Sequence, residues 1–176
     1  LSSEEIIKKI ADAGIVGLGG ACFPTQVKLM PPKDMSVDTL IINAVECEPY
    51  LTHNHQLMLE KPAEVLMGVR ILMQALNIKK AIIGIEANKM DAVKSLRDDE
   101  SMNRLTDESI SIEVVPLKLK YPQGGEKQLI EALTGRKVPN GGIPAAVGCV
   151  VQNVGTAFAV YEAVQLNKPL VEVMMT

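Results

Sequence analysis

The sequence predicts an α/β fold: a Rossmann-like three-layer domain with a four-stranded parallel sheet, preceded by an N-terminal helix and a glycine-rich loop. Two observations carry this expectation. Short, largely β-branched runs that are apolar almost throughout occur at residues 39–43, 80–85, 110–115 and 147–151, as expected of strands buried on both faces. Segments with apolar residues at helical spacing separate and follow them, and that alternation marks parallel strands joined by crossover helices.

Each element follows from local chemistry. Ser2 or Ser3 supplies an N-cap, Glu4 and Glu5 put acids in the first turn, and Ile6, Ile7 and Ile10 form an apolar stripe. That helix runs to about Ala13 and stops at Gly14. Residues 14–25 are too rich in glycine for a regular element and too apolar for a solvated linker, so they form a loop against which something packs. The first strand, 39–43, leads into Asn43-Ala-Val-Glu-Cys-Glu-Pro49. Between 57 and 76 the apolar residues keep close to a 3.6 period, with Pro62 opening the main helix at its first turn. After the second strand Asn88 caps a helix of about 12 residues that ends near Asp98-Asp-Glu-Ser101. The third strand is broken by Pro116, a helix over 125–133 has its stop signal at Gly135, and a Pro/Gly-rich turn fills 138–144. The fourth strand is followed by a helix from about 155 to 166. Residues 1–37 are thus an extension carrying helix and glycine loop, and 38–176 the Rossmann-like unit, in one compact body. Because the chain begins at Leu1, it is expected to be a piece of something longer.

Composition excludes several functions. At 176 residues and 47% hydrophobic, the chain buries a sizeable core without disulfides or a structural metal. With 18 basic against 21 acidic residues and 3% aromatics, it lacks the basic surface and stacking rings of a nucleic-acid binder. No apolar run reaches the roughly 18 to 20 residues of a spanning helix. Cys22, Cys47 and Cys149 form no C-x-x-C pair and read as reduced thiols of a cytosolic protein.

In an open parallel sheet ligands bind at the carboxyl ends of the strands, where 43–49, 121–126 and 152–156 fall. The glycines Gly17, Gly19 and Gly20 precede the first strand, so they are not the strand-turn-helix dinucleotide fingerprint. They suit close approach of backbone N–H groups to a phosphate or flat ring, with Lys28 adding charge, or else a tight turn packed on the sheet. Glu46 and Glu48 alternate around Cys47, so their carboxylates share a side and either accept hydrogen bonds from ribose hydroxyls or stand in a solvated loop. His53 and His55 lack neighbouring ligands at metal spacing and read as surface histidines. Met58, Met67 and Met73 read as core filler, and neither Cys22 nor Cys47 has a base nearby to make it a nucleophile.

Taken together, Gly17-Leu-Gly-Gly-Ala-Cys-Phe-Pro-Thr25 with Lys28, Asn43-Ala-Val-Glu-Cys-Glu-Pro49, Tyr121-Pro-Gln-Gly-Gly-Glu-Lys-Gln-Leu-Ile130, Leu133-Thr-Gly135 and Val151-Gln-Asn-Val-Gly-Thr156 resemble the C subunit of the Rnf electron-transport complex. They are more distantly similar to the flavin-bearing, NADH-oxidising subunit of respiratory complex I. The resemblance implies an NADH-dependent flavin oxidoreductase domain of a membrane-associated, ion-translocating complex, with hydride passing from NADH to FMN. No protein acid or nucleophile is then required. It implies that Gly17, Gly19, Gly20 and Lys28 hold the FMN phosphate and ribityl chain, and that Asn43, Glu46, Asn153 and Thr156 also line the flavin site. Phe23 would stack on the nicotinamide, Glu48 and Glu126 would contact NADH, and Gly124 and Gly125 would complete the site. Iron–sulfur clusters are expected only in a C-terminal region beyond this sequence, since no cysteine run is present. The partners implied are NADH and the other subunits, placing the domain on the cytoplasmic face of the cell membrane without a span of its own. The chain departs from the complex I pattern at Leu18, which replaces Arg, and at Cys22, which replaces Gly. A cobalamin-reducing flavoprotein domain shares the loop and acidic motifs, and those two departures also suit a docking domain that has lost its cofactor.

Overall fold

The computed structural model describes residues 1–46, 51–105 and 109–171. Four strands, β1 (Thr39–Asn43), β2 (Lys80–Glu86), β3 (Ser111–Leu117) and β4 (Cys149–Asn153), form one sheet in the order β3-β2-β1-β4. Every pairing is parallel, and Asn43, the last residue of β1, lies in register between Gly84 and Asn153. The expected architecture is therefore present.

Alternation along the strands sends side chains to two cores of unequal size. Leu40, Ile42, Ala81, Ile83, Ile85, Ile112, Val114 and Val150 pack with helices α1 (Ser3–Asp12), α4 (Pro62–Leu76), α5 (Met90–Asp98) and α8 (Val154–Leu166). Ile41, Leu117, Cys149 and Val151 meet Leu129 and Ile130 of α7 (Glu126–Thr134) on the opposite face. The larger core is closed where α4 crosses α8. A Cβ at Gly68 would come within 1.9 Å of the Ala157 carbonyl oxygen, so glycine there is a packing requirement. Met58 and Met73 are fully buried and Met67 packs against the same cluster, as core filler should.

Several boundaries differ from the expectations, each for a physical reason. The capping residue of α1 is Ser2, whose Oγ accepts from Glu5 N while Glu5 Oε2 accepts from Ser2 N, a capping box. Pro62 separates two helices, α3 (His53–Glu60) and α4, because it opens α4 at its first turn, as read. Asn88 is not the cap of α5: Lys89 holds that position, and the helix has 9 residues. Helix α5 ends at Asp98, within the acidic stretch expected to end it, and a further short helix, α6 (Glu100–Leu105), begins in that same stretch. Pro116 does not break β3. Ser111 N donates to Lys79 O and Leu117 O accepts from Ala87 N, so odd-numbered residues face β2 and Pro116 turns toward the open edge.

The glycine loop is also more ordered than a plain turn. Val16 and Pro24 form an isolated antiparallel bridge, Gly17 N donates to Phe23 O at 2.8 Å, and a single-turn helix, α2 (Thr25–Lys28), follows.

Candidate functional site

The strand order determines where a ligand can enter. From β1 the chain crosses to β2 and β3 on one side, whereas β4 returns to the other side of β1, so the connections diverge between β1 and β4. At such a reversal the loops leaving adjacent strands part, and a crevice opens at their carboxyl ends. Asn43 and Asn153 stand side by side there. The Asn43 amide is fixed on both sides: its Nδ2 donates to Gly124 O at 2.9 Å and its Oδ1 accepts from Val45 N at 3.1 Å. Asn153 caps α8, its Oδ1 accepting from Gly155 N at 2.8 Å.

Over this crevice lies the tip of the glycine loop. It is anchored by Leu18 N, which donates to the Oγ1 of fully buried Thr156 at 2.9 Å. The result is a cavity of about 270 Å³ lined by Gly17, Gly19, Ala21, Phe23, Lys28, Asn43, Gly124, Glu126, Val151, Gln152 and Asn153. Eight residues expected at the site thus meet around one space: Gly17, Gly19, Phe23, Lys28, Asn43, Gly124, Glu126 and Asn153. A second cavity, of about 520 Å³, shares Ala21, Phe23, Lys28, Glu126 and Val151 with the first and runs outward along Val27, Met30, Pro31, Ile143 and Pro144. Its walls are mostly apolar, and Phe23, 46% exposed, stands between the two spaces. Sequence reasoning missed this groove, because its apolar residues come from segments more than a hundred positions apart and follow no period.

The loop glycines separate two kinds of need. Gly20 has φ +105° and Gly14 +68°, backbone that only glycine adopts freely. Cys22, exposed, holds a positive φ of 48° in a side-chain-bearing residue, so the loop keeps a glycine-like conformation where the residue departs from the complex I pattern. Gly17 and Gly19 have no such φ, and a Cβ on them would meet nothing nearer than 3.5 and 3.6 Å. The fold does not require glycine at either position, and both line the cavity. Their bare backbone is what a flat or phosphorylated ligand needs in order to come close.

Lys28 and Glu126 form the electrostatic centre of this region. Lys28 Nζ lies 2.8 Å from Glu126 Oε1 and donates to Val151 O at 3.1 Å, with the two side chains 32% and 39% exposed. Gly125 caps α7 through its backbone, and Gly20 is outside the lining.

Two expected residues have other surroundings. Thr156 does not line the cavity: it is fully buried, and its hydroxyl oxygen accepts from Leu18 N inside the fold. Glu46 does not line it either, nor does it stand in a solvated loop. Its side chain, 2% exposed, accepts from Lys89 Nζ at 2.5 Å and from Asn54 N at 2.7 Å, and Lys89 also lies 2.8 Å from Glu86 Oε2. A charged carboxylate this deep needs a partner, and Lys89, 43 residues away, supplies it. Burial alone would lower the Lys89 pKa, but its bonds to Glu46 and Glu86 outweigh that and leave it raised above the ordinary lysine value. The histidines are likewise not free on the surface. His53 Nδ1 is buried 3.7 Å from Glu46 Oε1, and His55 Nε2 lies 2.9 Å from Asp91 Oδ1. The His55 bond, with the Ala92 N–H, holds the Asp91 carboxyl below its usual range. Glu48 and Cys47 lie outside the described residues. Among the described residues no cluster suits a metal ion, and no helix is long and apolar enough to cross a membrane.

This geometry sits within a defined family. Residues 10–162 match the model of the Nuo51 FMN-binding domain. Over all of its length the chain is 49% identical to the C subunit of the proton-translocating ferredoxin:NAD(+) oxidoreductase complex of Clostridium ljungdahlii, and 46% identical to its Na(+)-translocating counterpart in Acetobacterium woodii. It is also 46% identical to the C subunit of the ion-translocating oxidoreductase complex of Haemophilus influenzae. The chain spans 37%, 38% and 21% of these relatives' lengths. Among solved structures, 93% of it superposes on 31% of a chain of an NAD+-reducing [NiFe]-hydrogenase in the H2-reduced state, with a TM-score of 0.81 and 27% identity. The air-oxidised form gives 0.80 and 28%, over 93% of this chain and 30% of that one. The chain belongs to the Nuo51 FMN-binding domain family, and the resemblance to Rnf C subunits read from its motifs holds.

Proposed function

We propose that this chain, as a member of the Nuo51 FMN-binding family, binds FMN in the cavity between β1 and β4 and accepts electrons from NADH there. Its place would be within a membrane-associated, ion-translocating electron-transport complex. The observation that carries the reading is the pair of glycines, Gly17 and Gly19, which the fold leaves free to take side chains and which instead expose bare backbone to a cavity at the sheet's reversal point. A flavin phosphate finds two favourable sources of charge at this place. The amino end of α8, capped by Asn153, directs a helix dipole toward the crevice, and Lys28 provides an ammonium. Among the described residues Lys28 is the one cation that lines either cavity.

FMN, when bound, supplies the conversion between hydride taken from NADH and single electrons passed to iron–sulfur carriers beyond this sequence. The protein's part is to bind and orient. Asn43 and Asn153, each pinned by a backbone partner, present amide edges of fixed orientation at the cavity floor. Phe23 offers an aromatic face at the passage between the two cavities, where a dinucleotide ring would stack. The apolar groove beyond it excludes water from that ring, and Glu126 at its inner end can accept hydrogen bonds from ribose hydroxyls, a role to which Glu48 would add. Nothing in this scheme needs a nucleophile.

The test is a titration of FMN into the purified chain followed by flavin fluorescence and visible absorption, then addition of NADH with ferricyanide as acceptor. Saturable binding with shifted flavin bands and NADH-dependent ferricyanide reduction are expected. A chain that leaves the flavin spectrum untouched at every concentration is a docking domain, and the proposal falls.

A further inference from the structure

Lys28 and Glu126 line both cavities, and no other charged residue among those described lines either. Their ion pair therefore stands at the junction of the flavin cavity and the apolar groove. It joins α2, just after the glycine loop, to the first turn of α7, across 98 positions of sequence. Lys28 is also held by the Val151 carbonyl, so its ammonium has a second tie to β4 and need not leave the junction when Glu126 lets go.

We propose that this pair couples the two subsites by exchange of partners, an inference that rests on the flavin reading above. An anionic group bound in the inner cavity competes with Glu126 for the Lys28 ammonium. Once it takes Lys28, the Glu126 carboxylate is released into the groove as an acceptor for the hydroxyls of a dinucleotide. In the other direction, a dinucleotide that engages Glu126 frees Lys28 for the phosphate. The coupling is reciprocal, since each ligand raises the affinity of the other by the same factor. It also gives Glu126 a sign opposite to that of an ordinary binding residue: while Lys28 is present, Glu126 opposes the flavin phosphate. The size of the effect follows from exposure. A pair about one-third exposed is worth little, and breaking it shifts affinity by about two- to fivefold.

Two flavins that differ only in the phosphate, FMN and riboflavin, separate the exchange from every contact to the ring. The wild-type chain, Glu126→Gln, Lys28→Met and the double variant are titrated with each by fluorescence. Glu126→Gln is expected to bind FMN about two- to fivefold more tightly and riboflavin within about 1.5-fold of wild type, and the gain is expected to vanish in the Lys28→Met background. Calorimetric titration with NAD+ then reads the other side. Wild type saturated with FMN is expected to bind NAD+ more tightly than wild type saturated with riboflavin, and Glu126→Gln to show no such difference. Equal FMN affinity in wild type and Glu126→Gln overturns the exchange, as does an equal gain for riboflavin or an NAD+ affinity indifferent to the flavin phosphate. Failure of wild type to bind either flavin is a different result, because it removes the flavin reading itself and the exchange with it. Far-UV circular dichroism melts confirm that each variant is folded before titration.

Discussion

Replacing Lys89 by Met tests the most consequential charge in this fold. The methionine keeps an unbranched chain of nearly the same length and removes only the ammonium, leaving Glu46 and Glu86 to face one another with side chains 2% and 10% exposed. At ~3 Å and an effective dielectric near 20, each contact of the lysine with a carboxylate is worth about 5 kcal/mol before desolvation is subtracted. Deleting one member of a buried pair usually costs about 3–5 kcal/mol, because the remaining charge loses its partner and cannot regain water. That is a large share of a stability on the order of 5–15 kcal/mol. Guanidinium unfolding followed by circular dichroism should therefore show a midpoint lowered by about 1 M, for a slope of ~4 kcal/mol/M. The pH dependence carries its own sign. In the wild type the Lys89 pKa is raised by folding, so its contribution is complete below the unfolded lysine value and fades only as pH rises through the higher folded one. Between pH 5 and 8 it should be flat. A loss under about 1 kcal/mol would refute the burial and pairing assigned to this cluster.

Three further outcomes are expected. Gly19→Val should weaken FMN binding while leaving the melting temperature within a few degrees, whereas Gly68→Ala should destabilise by about 1–3 kcal/mol, since its Cβ would strike the Ala157 carbonyl; fluorescence titration and thermal melts of both check the contrast. The FMN-loaded chain should reduce ferricyanide with NADH but reduce ferredoxin poorly, because the sequence holds no cysteine run for an iron–sulfur relay, and steady-state assays with both acceptors decide it. Glu126→Gln should narrow the preference for NADH over NADPH, for which a tenfold change needs only about 1.4 kcal/mol; a ratio of kcat/KM unchanged within twofold would leave Glu126 as an acid favouring the start of α7.

What the sequence disclosed depended on whether the cause was local. Helix α1 was legible because its cap, its first-turn acids and its apolar stripe lie within nine residues, and β1 because four buried residues in succession, Thr39 to Ile42, admit little else. The end of β3 was misread because proline was judged without knowing which strand is the edge, and edge position is a property of the whole sheet. The partner of Glu46 was out of reach for the same reason. An acid beside a cysteine and a proline looks solvated until Lys89 is brought to it by the turn after β2. His53 and His55 looked exposed until α3 was laid against Glu46 and Asp91. Backbone-determined features could thus be read locally, whereas the pairing of charges could not.

The candidate site falls on both sides of that division. Its location was readable, since Asn43 and Asn153 each end a run of buried residues and a parallel sheet gathers its strand ends on one edge. The attachment of the glycine loop was not. That loop precedes the sheet in sequence and reaches the crevice only because Leu18 N finds the buried Thr156 hydroxyl, 138 positions later, on the first turn of α8. This changes what Thr156 is for. A threonine in the loop-facing turn of α8 looks like a ligand contact, yet it is fully buried and its hydroxyl oxygen accepts from the loop backbone. Its effect on any bound flavin would be exerted through the position of Gly17 and Gly19. Leu18 holds the tip in two ways, through its amide on Thr156 and through its side chain, which packs partly buried against the larger core. An arginine absent from position 18 removes a cation from the neighbourhood without releasing the loop, and Lys28 is then the charge on which an anionic ligand must rely.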